Sequence, residues 1–182
     1  MRAEPAPEEI DPRYPIGRFQ RPETITPHDR MAAIASLAEL PGRLAEALDG
    51  LDREQLDAPY REGGWTVRQL VHHLADSHMV AFVRLRLGLT SDQPPAFEYN
   101  EKAWAALHDS AAPVSWSATL LQNLHARWVM LLESLDEDQW QRIAFQHPVR
   151  GPLTVEFMVL LYAWHSRHHL AHITNLRERM GW

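Results

Sequence analysis

The residues of this 182-residue chain with the clearest chemistry are its eleven histidines, four of which fall in eight positions, His165 to His172. They lie in the apolar, helix-forming run Tyr162-Ala163-Trp164-His165-Ser166-Arg167-His168-His169-Leu170-Ala171-His172. On a helix, residues four apart share a face, with β-carbons roughly 6 Å apart. Two imidazoles at that spacing can converge on one ion, with metal–nitrogen bonds of about 2 Å. Two such pairs exist: His165 with His169, and His168 with His172. Three neutral imidazoles suit zinc or another borderline divalent ion and leave a coordination position open, as catalytic sites do. There a bound water or a substrate thiol can lose its proton near neutral pH.

Helical phase, at about 100° per residue, sorts the candidates. Met158, Leu161, Tyr162, Ile173 and Leu176 define the buried face of the C-terminal helix. His165 and His169 fall near its centre, His172 to one side and His168 further toward the flank, so His165 and His169 are the better pair. The third ligand must come from another helix. Around Leu70 and Leu74, His72 points nearly opposite the inner face, His73 sits at its border and His78 leans inward over Leu74. Phase barely separates His73 from His78. His73 is preferred because it lies nearer the start of its helix, and His78 is held in reserve. A lone histidine is more often a hydrogen-bonded core or surface residue. A pair at helical spacing with an inward histidine on a second long helix favours a metal site.

Other residues could support it. Asp76, one turn beyond His73, could orient a group or relay protons, although a solvated carboxylate is as common. Tyr162, one turn before His165, could donate to an oxyanion, against the plainer reading of a core aromatic. Arg167 and Arg177 could meet an acidic substrate, although helix-surface arginines usually do not. Trp65, Trp104, Trp128 and Trp164 could line a pocket, against plain core. There is no Gly-rich phosphate loop, no GxSxG and no HExxH.

The elements that would carry these residues are helices. Residues 1–25 hold five of the thirteen prolines and read as an extended arm, with Tyr14, Ile16 and Phe19 available to pin it to a single body of residues 26–182. Thr26-Pro27 opens a first helix, which Pro41 should kink and Gly50 should end. Thr66 and Gln69 form a capping box for a second, running to about Leu89. Residues 91–114, with Pro94, Pro95 and Pro113, make a long crossover. Its aromatics (Phe97, Tyr99, Trp104) argue for order, and a short helix is expected over Tyr99 to Leu107. A third helix begins near Ser115, and Thr154 caps a fourth over Val155 to Met180. A brief strand pair could fill Phe145 to Leu153. Leu51-Asp52-Arg53-Glu54-Gln55-Leu56 resembles Leu135-Asp136-Glu137-Asp138-Gln139-Trp140, and Thr66-Val67 matches Thr154-Val155 downstream. The expectation is an all-α four-helix bundle of two pseudo-repeated hairpins joined by a long crossover, with the helices that carry the histidines side by side.

Composition limits the function. A formal net charge of −6 argues against broad nucleic-acid binding and against an anionic membrane surface. With no cysteine, any metal site must use histidine and carboxylate, and no cysteine nucleophile is available. No run approaches a membrane span and Met1 to Glu9 is not a signal peptide, so a cytoplasmic protein is expected.

Two stretches also resemble a known family. Gly63-Gly64-Trp65-Thr66-Val67-Arg68-Gln69-Leu70-Val71-His72-His73-Leu74-Ala75-Asp76-Ser77-His78 and Tyr162 to Ile173 are similar to the YfiT-like branch of the DinB superfamily, as are Tyr14-Pro15-Ile16-Gly17 and Arg179-Met180-Gly181-Trp182. The resemblance covers nearly everything after the first dozen residues. It implies a four-helix bundle, a homodimer, and a zinc or nickel ion on His73, His165 and His169; on the phase reading His78 and His172 then stand at most behind the ligands. It also implies an enzyme: a thiol S-transferase of the bacillithiol or mycothiol kind, or a metal-dependent hydrolase. In the first, the ion activates a low-molecular-weight thiol for attack on an electrophilic small molecule; in the second, it activates water. Asp76 and Tyr162 would assist, and Trp65 and Arg167 would meet the substrate. A non-catalytic metal-binding bundle is the remaining alternative.

Overall fold

The computed structural model describes residues 11–92, 94, 98–147 and 151–182. Helix α1 (Pro27–Leu48) starts at a capping box in which Thr26 accepts from Asp29 N and the Asp29 carboxylate accepts from Thr26 N. It runs through Pro41. Gly50 follows it at φ +73°, a conformation that favours glycine. The short helix α2 (Arg53–Leu56) precedes α3 (Val67–Thr90), and α4 (Glu101–Trp104) and a 3-10 turn (His108–Ala111) lie in the crossover. Helix α5 (Val114–Glu133), the short α6 (Glu137–Gln141), the strands β1 (Ile143–His147) and β2 (Gly151–Thr154), and α7 (Val155–Met180) complete the chain.

The internal repeat has a local cause. Asp52 with Gln55, and Asp136 with Gln139, form the same reciprocal capping box at the starts of α2 and α6. The strand pair is antiparallel, with Phe145 opposite Leu153. Helix α4 is shorter than the span expected from Tyr99 to Leu107, because the chain tightens into the 3-10 turn beyond it. Phe97, used above to argue for an ordered crossover, and Pro95, used to mark it as long, lie outside the described residues. In the arm, Phe19 packs edge-on to Phe157 and Trp164, whereas Ile16 remains 42% exposed and is no anchor.

The long helices α1, α3, α5 and α7 form a four-helix bundle. Helix α1 packs on α7 and α5, and α3 packs on α5 and α7. The helices of each sequence repeat therefore stand across the bundle rather than side by side. Residues 49–66 and 134–154 are long enough to carry the chain to the opposite corner, where a short loop would have forced antiparallel neighbours. Contacts along α1 and α7 climb together, Arg30 with Glu156, Ser36 with Ala163 and Ala47 with Arg177, so these two helices are parallel. Helices α3 and α5 are parallel by the same test, through His72 with Ser117 and His78 with His125. Helices α3 and α7 are adjacent and antiparallel, with His73 beside His165 and Arg84 beside Tyr162.

The apolar core is divided. One cluster gathers around Leu37, Ala81, Phe82, Trp128 and Met158, the other around Leu40, Leu44, Leu70, Leu74, Leu121 and Ile173. Between them lies a polar layer of Ser77, His78, His125 and Ser166, all at most 4% exposed. A buried polar layer is tolerated only when its members are hydrogen-bonded. Two of these four members are imidazoles, which places titratable chemistry at the centre of the fold.

Candidate metal centre

His73 projects from the second turn of α3, and His165 and His169 from successive turns of α7. One nitrogen from each lies within 4.8 Å of the others. The Nε2 atoms of His73 and His165 are 3.3 Å apart. Two ligands at about 2.0–2.1 Å from one ion at a tetrahedral angle are separated by roughly 3.3 Å, so this spacing fits the first half of a zinc-like site. The donor set fits as well. Burial holds His73 down to about 4, with the neighbouring His168 adding to the effect. Burial and then the surrounding imidazoles lower His165 and His169 too. All three are neutral at pH 7, the form that ligates. His73 and His169 are buried, and His165 is partly so.

A second group, His168, His169 and His172, is also close enough for one ion. It shares His169, and one neutral imidazole has a single lone pair to give, so the two groups exclude one another. All three members stand on α7, with His168 and His169 adjacent in sequence and leaving the helix about 100° apart. His172 Nδ1 lies 3.4 Å from His169 Nδ1. That contact makes His172 a natural hydrogen-bond partner for His169. His168 is stacked on Trp164, with centroids 4.5 Å apart.

The remaining sequence candidates divide. Trp65 lies against His73, with ring centroids 4.7 Å apart. Asp76 is half-buried, and burial with the nearby Asp109 raises its carboxyl to about 6, in the range of a usable base. His78 is fully buried, with Nε2 3.2 Å from His165 Nδ1, so it stands behind the triad. Tyr162 is buried beside His165, but its hydroxyl is engaged by Arg84 at 3.3 Å and by Ser77. It is not turned toward the triad as an oxyanion donor, because α3 supplies its partners. Arg167 is exposed and donates to Ser36 Oγ on α1 at 3.1 Å. Two positions from His165, it leaves the opposite side of α7, and the structure does not bring it to the site. Arg177 is spent on the carbonyls of Ala47 and Asp49. Trp128 belongs to the core.

Two histidines differ from the sequence reading. His72, placed there away from the inner face, is buried. It bonds Ser117 Oγ at 2.7 Å and the Ala112 carbonyl at 3.1 Å, because the crossover and α5 cover the outer side of α3. Arg68 also reaches Ala112 O, and Gln69 donates to Ala105 O at 2.9 Å. Three polar residues of α3 thus strap the crossover's second half alongside the helix that carries His73. His125 was not selected from the sequence at all. Its only sequence signal is its place on the apolar stripe of α5 between Leu121 and Trp128, where a histidine must find partners.

Comparison with known proteins agrees with this architecture. The sequence profile of the DinB superfamily matches residues 36–173. The chain belongs to the DinB superfamily. A Bacillus mycoides protein named "putative metal-dependent hydrolase" is 48% identical over 172 residues, covering 94% of this chain and 99% of its own. A Bacillus cereus protein of the same name is 47% identical over the same shares. Among solved structures, YfiT from Bacillus subtilis superposes with a TM-score of 0.90 at 48% identity, covering 95% of this chain and 99% of its own. It is described as "a probable metal-dependent hydrolase with an unusual four-helix bundle topology". The parallel neighbours and diagonal repeats described above give that phrase a concrete form in this chain.

Proposed function

We propose that this chain is a metal-dependent enzyme in which His73, His165 and His169 hold one divalent ion, zinc or nickel, and present a small nucleophile to an electrophilic small molecule. The observation that carries the reading is the convergence of three neutral, largely buried imidazoles from two helices, with two of their nitrogens 3.3 Å apart. When bound, the ion would lower the pKa of a water or a thiol toward 7. The protein's own residues do the rest. Three neutral ligands leave the full charge of the ion available. Trp65 shields the His73 side of the site. Asp76, raised to about 6, is ionised at neutral pH and able to take a proton from the nucleophile or carry it to solvent.

With water as nucleophile the reaction is hydrolysis, the activity in the relatives' names. With a low-molecular-weight thiol it is S-transfer, the reading that the sequence resemblance favours. In either case the nucleophile comes from outside, since the chain has no cysteine. Both readings are tested by incubating protein, with and without added zinc or nickel, against ester and amide substrates and against thiols paired with a model electrophile. Metal-dependent thiol consumption supports transfer. Metal-dependent ester or amide cleavage without it supports hydrolysis. Metal content that is unchanged in His73→Ala would sink the ligand assignment. Tight metal without turnover would leave a binding bundle. The homodimer that the resemblance implies is checked by light scattering, and the expected cytoplasmic location by cell fractionation.

A further inference from the structure

Three imidazoles, of which His78 and His125 are fully buried, join the candidate metal centre to the backbone of α1, and the connection has a direction. Pro41 stands four residues after Leu37 within α1. It has no N–H to close that turn, and its ring crowds the Leu37 carbonyl, so this oxygen lacks its helical donor. His125 Nδ1 lies 2.6 Å from it. A carbonyl only accepts, so His125 Nδ1 carries the proton and, in a neutral ring, Nε2 is bare. His125 Nε2 is 2.9 Å from His78 Nδ1, which must therefore donate. His78 Nε2, bare in turn, is 3.2 Å from His165 Nδ1. The His78 and His125 ring planes are only 23° apart with centroids at 5.0 Å, an edge-to-edge geometry suited to an in-plane N–H···N bond. Among the described residues, no carboxylate appears as a hydrogen-bond partner of the three rings. Burial lowers the pKa of each. Both facts favour the neutral rings that the direction requires.

We propose that Pro41, His125 and His78 are positioning residues that fix His165 as the Nδ1–H tautomer and aim its Nε2 lone pair at the ion shared with His73 and His169. The inference rests on those three histidines being the ligands. Metal-bound histidines generally donate their second N–H to a partner that sets tautomer and ring angle. Here that partner is another histidine, held by a third, whose polarity is set by a carbonyl that a proline left free. The chain ends on a peptide oxygen in the core, which does not take up a proton. It therefore orients a ligand rather than conducting protons.

The test begins with the full-length protein, nitrogen-15-labelled and stripped with chelator at pH 7.5, using long-range nitrogen–proton correlation spectra. His125, His78 and His165 should all be protonated on Nδ1 and bare on Nε2. Protonation of any of them on Nε2 overturns the proposed direction, with no variant needed. Zinc affinity is then measured by chelator competition. His78→Phe, which removes the acceptor behind His165, should weaken zinc about 10–100-fold. His78→Gln, whose amide can accept from His165 and donate to His125, should stay within several-fold of wild type. Equal affinity in His78→Phe, with native circular dichroism, overturns the positioning role. A wild-type protein that takes up neither zinc nor nickel overturns the ligand assignment itself, and with it the role of the chain, whatever the tautomers.

Discussion

Acidification should unfold the metal-free protein well above the pH at which its carboxylates titrate, because its buried histidines must gain protons. Burial lowers His73 and His125 to about 4 in the folded state, against an unfolded value near 6.5. The sign follows from linkage. Between those values the unfolded chain binds more protons, so stability is full above pH 6.5 and falls as pH drops toward 4. Each such group changes stability by at most about 1.4 kcal/mol per pH unit, or roughly 2 kcal/mol between pH 7 and 5. His73 and His125 together thus remove roughly 4 kcal/mol. His168 and His172, lowered by burial to about 4 and about 3, add at most a similar amount, because solvent screens these less deeply set rings. Asp76 acts in the opposite sense. Its folded value is raised to about 6, so it contributes stability at low pH that is lost as pH rises through 6. That offsets about 1 kcal/mol over the same interval. The net loss from pH 7 to 5 is roughly 3–7 kcal/mol, the lower figure for His73 and His125 alone, a large share of the about 5–15 kcal/mol that holds a typical domain folded. Urea unfolding in chelator at pH 7, 6 and 5, followed by tryptophan fluorescence and circular dichroism, measures it. A change below about 1 kcal/mol would refute the claim that these rings are buried and neutral. Removing one titrating ring, as in His125→Phe, should flatten the dependence by up to about 1.4 kcal/mol per pH unit. Added zinc should shift the acid transition downward, since metal and protons compete for the same nitrogens.

Three other perturbations test separate parts of the fold. Gly88→Ala places a methyl 2.6 Å from both Ala144 Cα and the Ile143 carbonyl, backbone atoms of β1 that have no rotamer to change. It should cost about 1–3 kcal/mol despite the better helix propensity, lowering Tm by roughly 2–10 °C in a thermal melt, and an unchanged Tm would show that the strand pair is not held against α3 as described. Arg30 donates to Glu156, whose side chain is only 12% exposed, and to Glu137 on α6. Arg30→Met should cost on the order of 2 kcal/mol at pH 7 by leaving the Glu156 carboxylate without its cation and with only Gln141 as donor, and adding Glu156→Leu should recover most of it; a double variant no better than the single would remove the ion pair as the cause. Pro41→Ala should stabilise by clearly less than the roughly 3 kcal/mol expected for removing an interior helix proline, because His125 already satisfies the Leu37 carbonyl. The same change in a His125→Phe background should gain about 1–2 kcal/mol more, and additivity within about 0.5 kcal/mol would show that the two residues do not share that carbonyl.

What could be read from the sequence was what depends on local spacing. The four long helices announce themselves through Thr26, Thr66 and Thr154 as caps and through apolar stripes at three and four. The pairing of His165 with His169 follows from phase alone, because both rings leave one face of one helix. The bundle's handedness of assembly could not be read in this way. Nothing local distinguishes a repeat that folds back on itself from one whose second helix crosses to the opposite corner. The choice depends on how residues 49–66 and 134–154 are laid over the ends of the bundle. The same limit explains the histidines. His72 looks outward from Leu70 and Leu74, but whether the outward side of α3 meets solvent or the crossover is a tertiary fact, decided by Arg68 and Gln69 fastening Ala112 and Ala105. Arg167 and Tyr162 carried the right chemistry on the right helix, yet their partners on α1 and α3 take them out of use.

The chain from Pro41 to His165 shows how a local rule can have a distant effect. A proline inside a helix reads as a kink and a lost hydrogen bond, which is a cost to α1 considered alone. In the bundle the same lost bond leaves a carbonyl free in a layer where three imidazoles would otherwise have no fixed polarity. Each N–H···N bond in that layer could run either way. One fixed acceptor at its end selects a single arrangement for all of them, and leaves the lone pair of His165 3.3 Å from His73 Nε2. The proline and the ligand are 124 positions apart in the sequence, and neither spacing nor composition links them. They are linked because α1 packs on α5, α5 on α3 and α3 on α7. The bundle order that the sequence left open is therefore also what prepares His165 as a ligand.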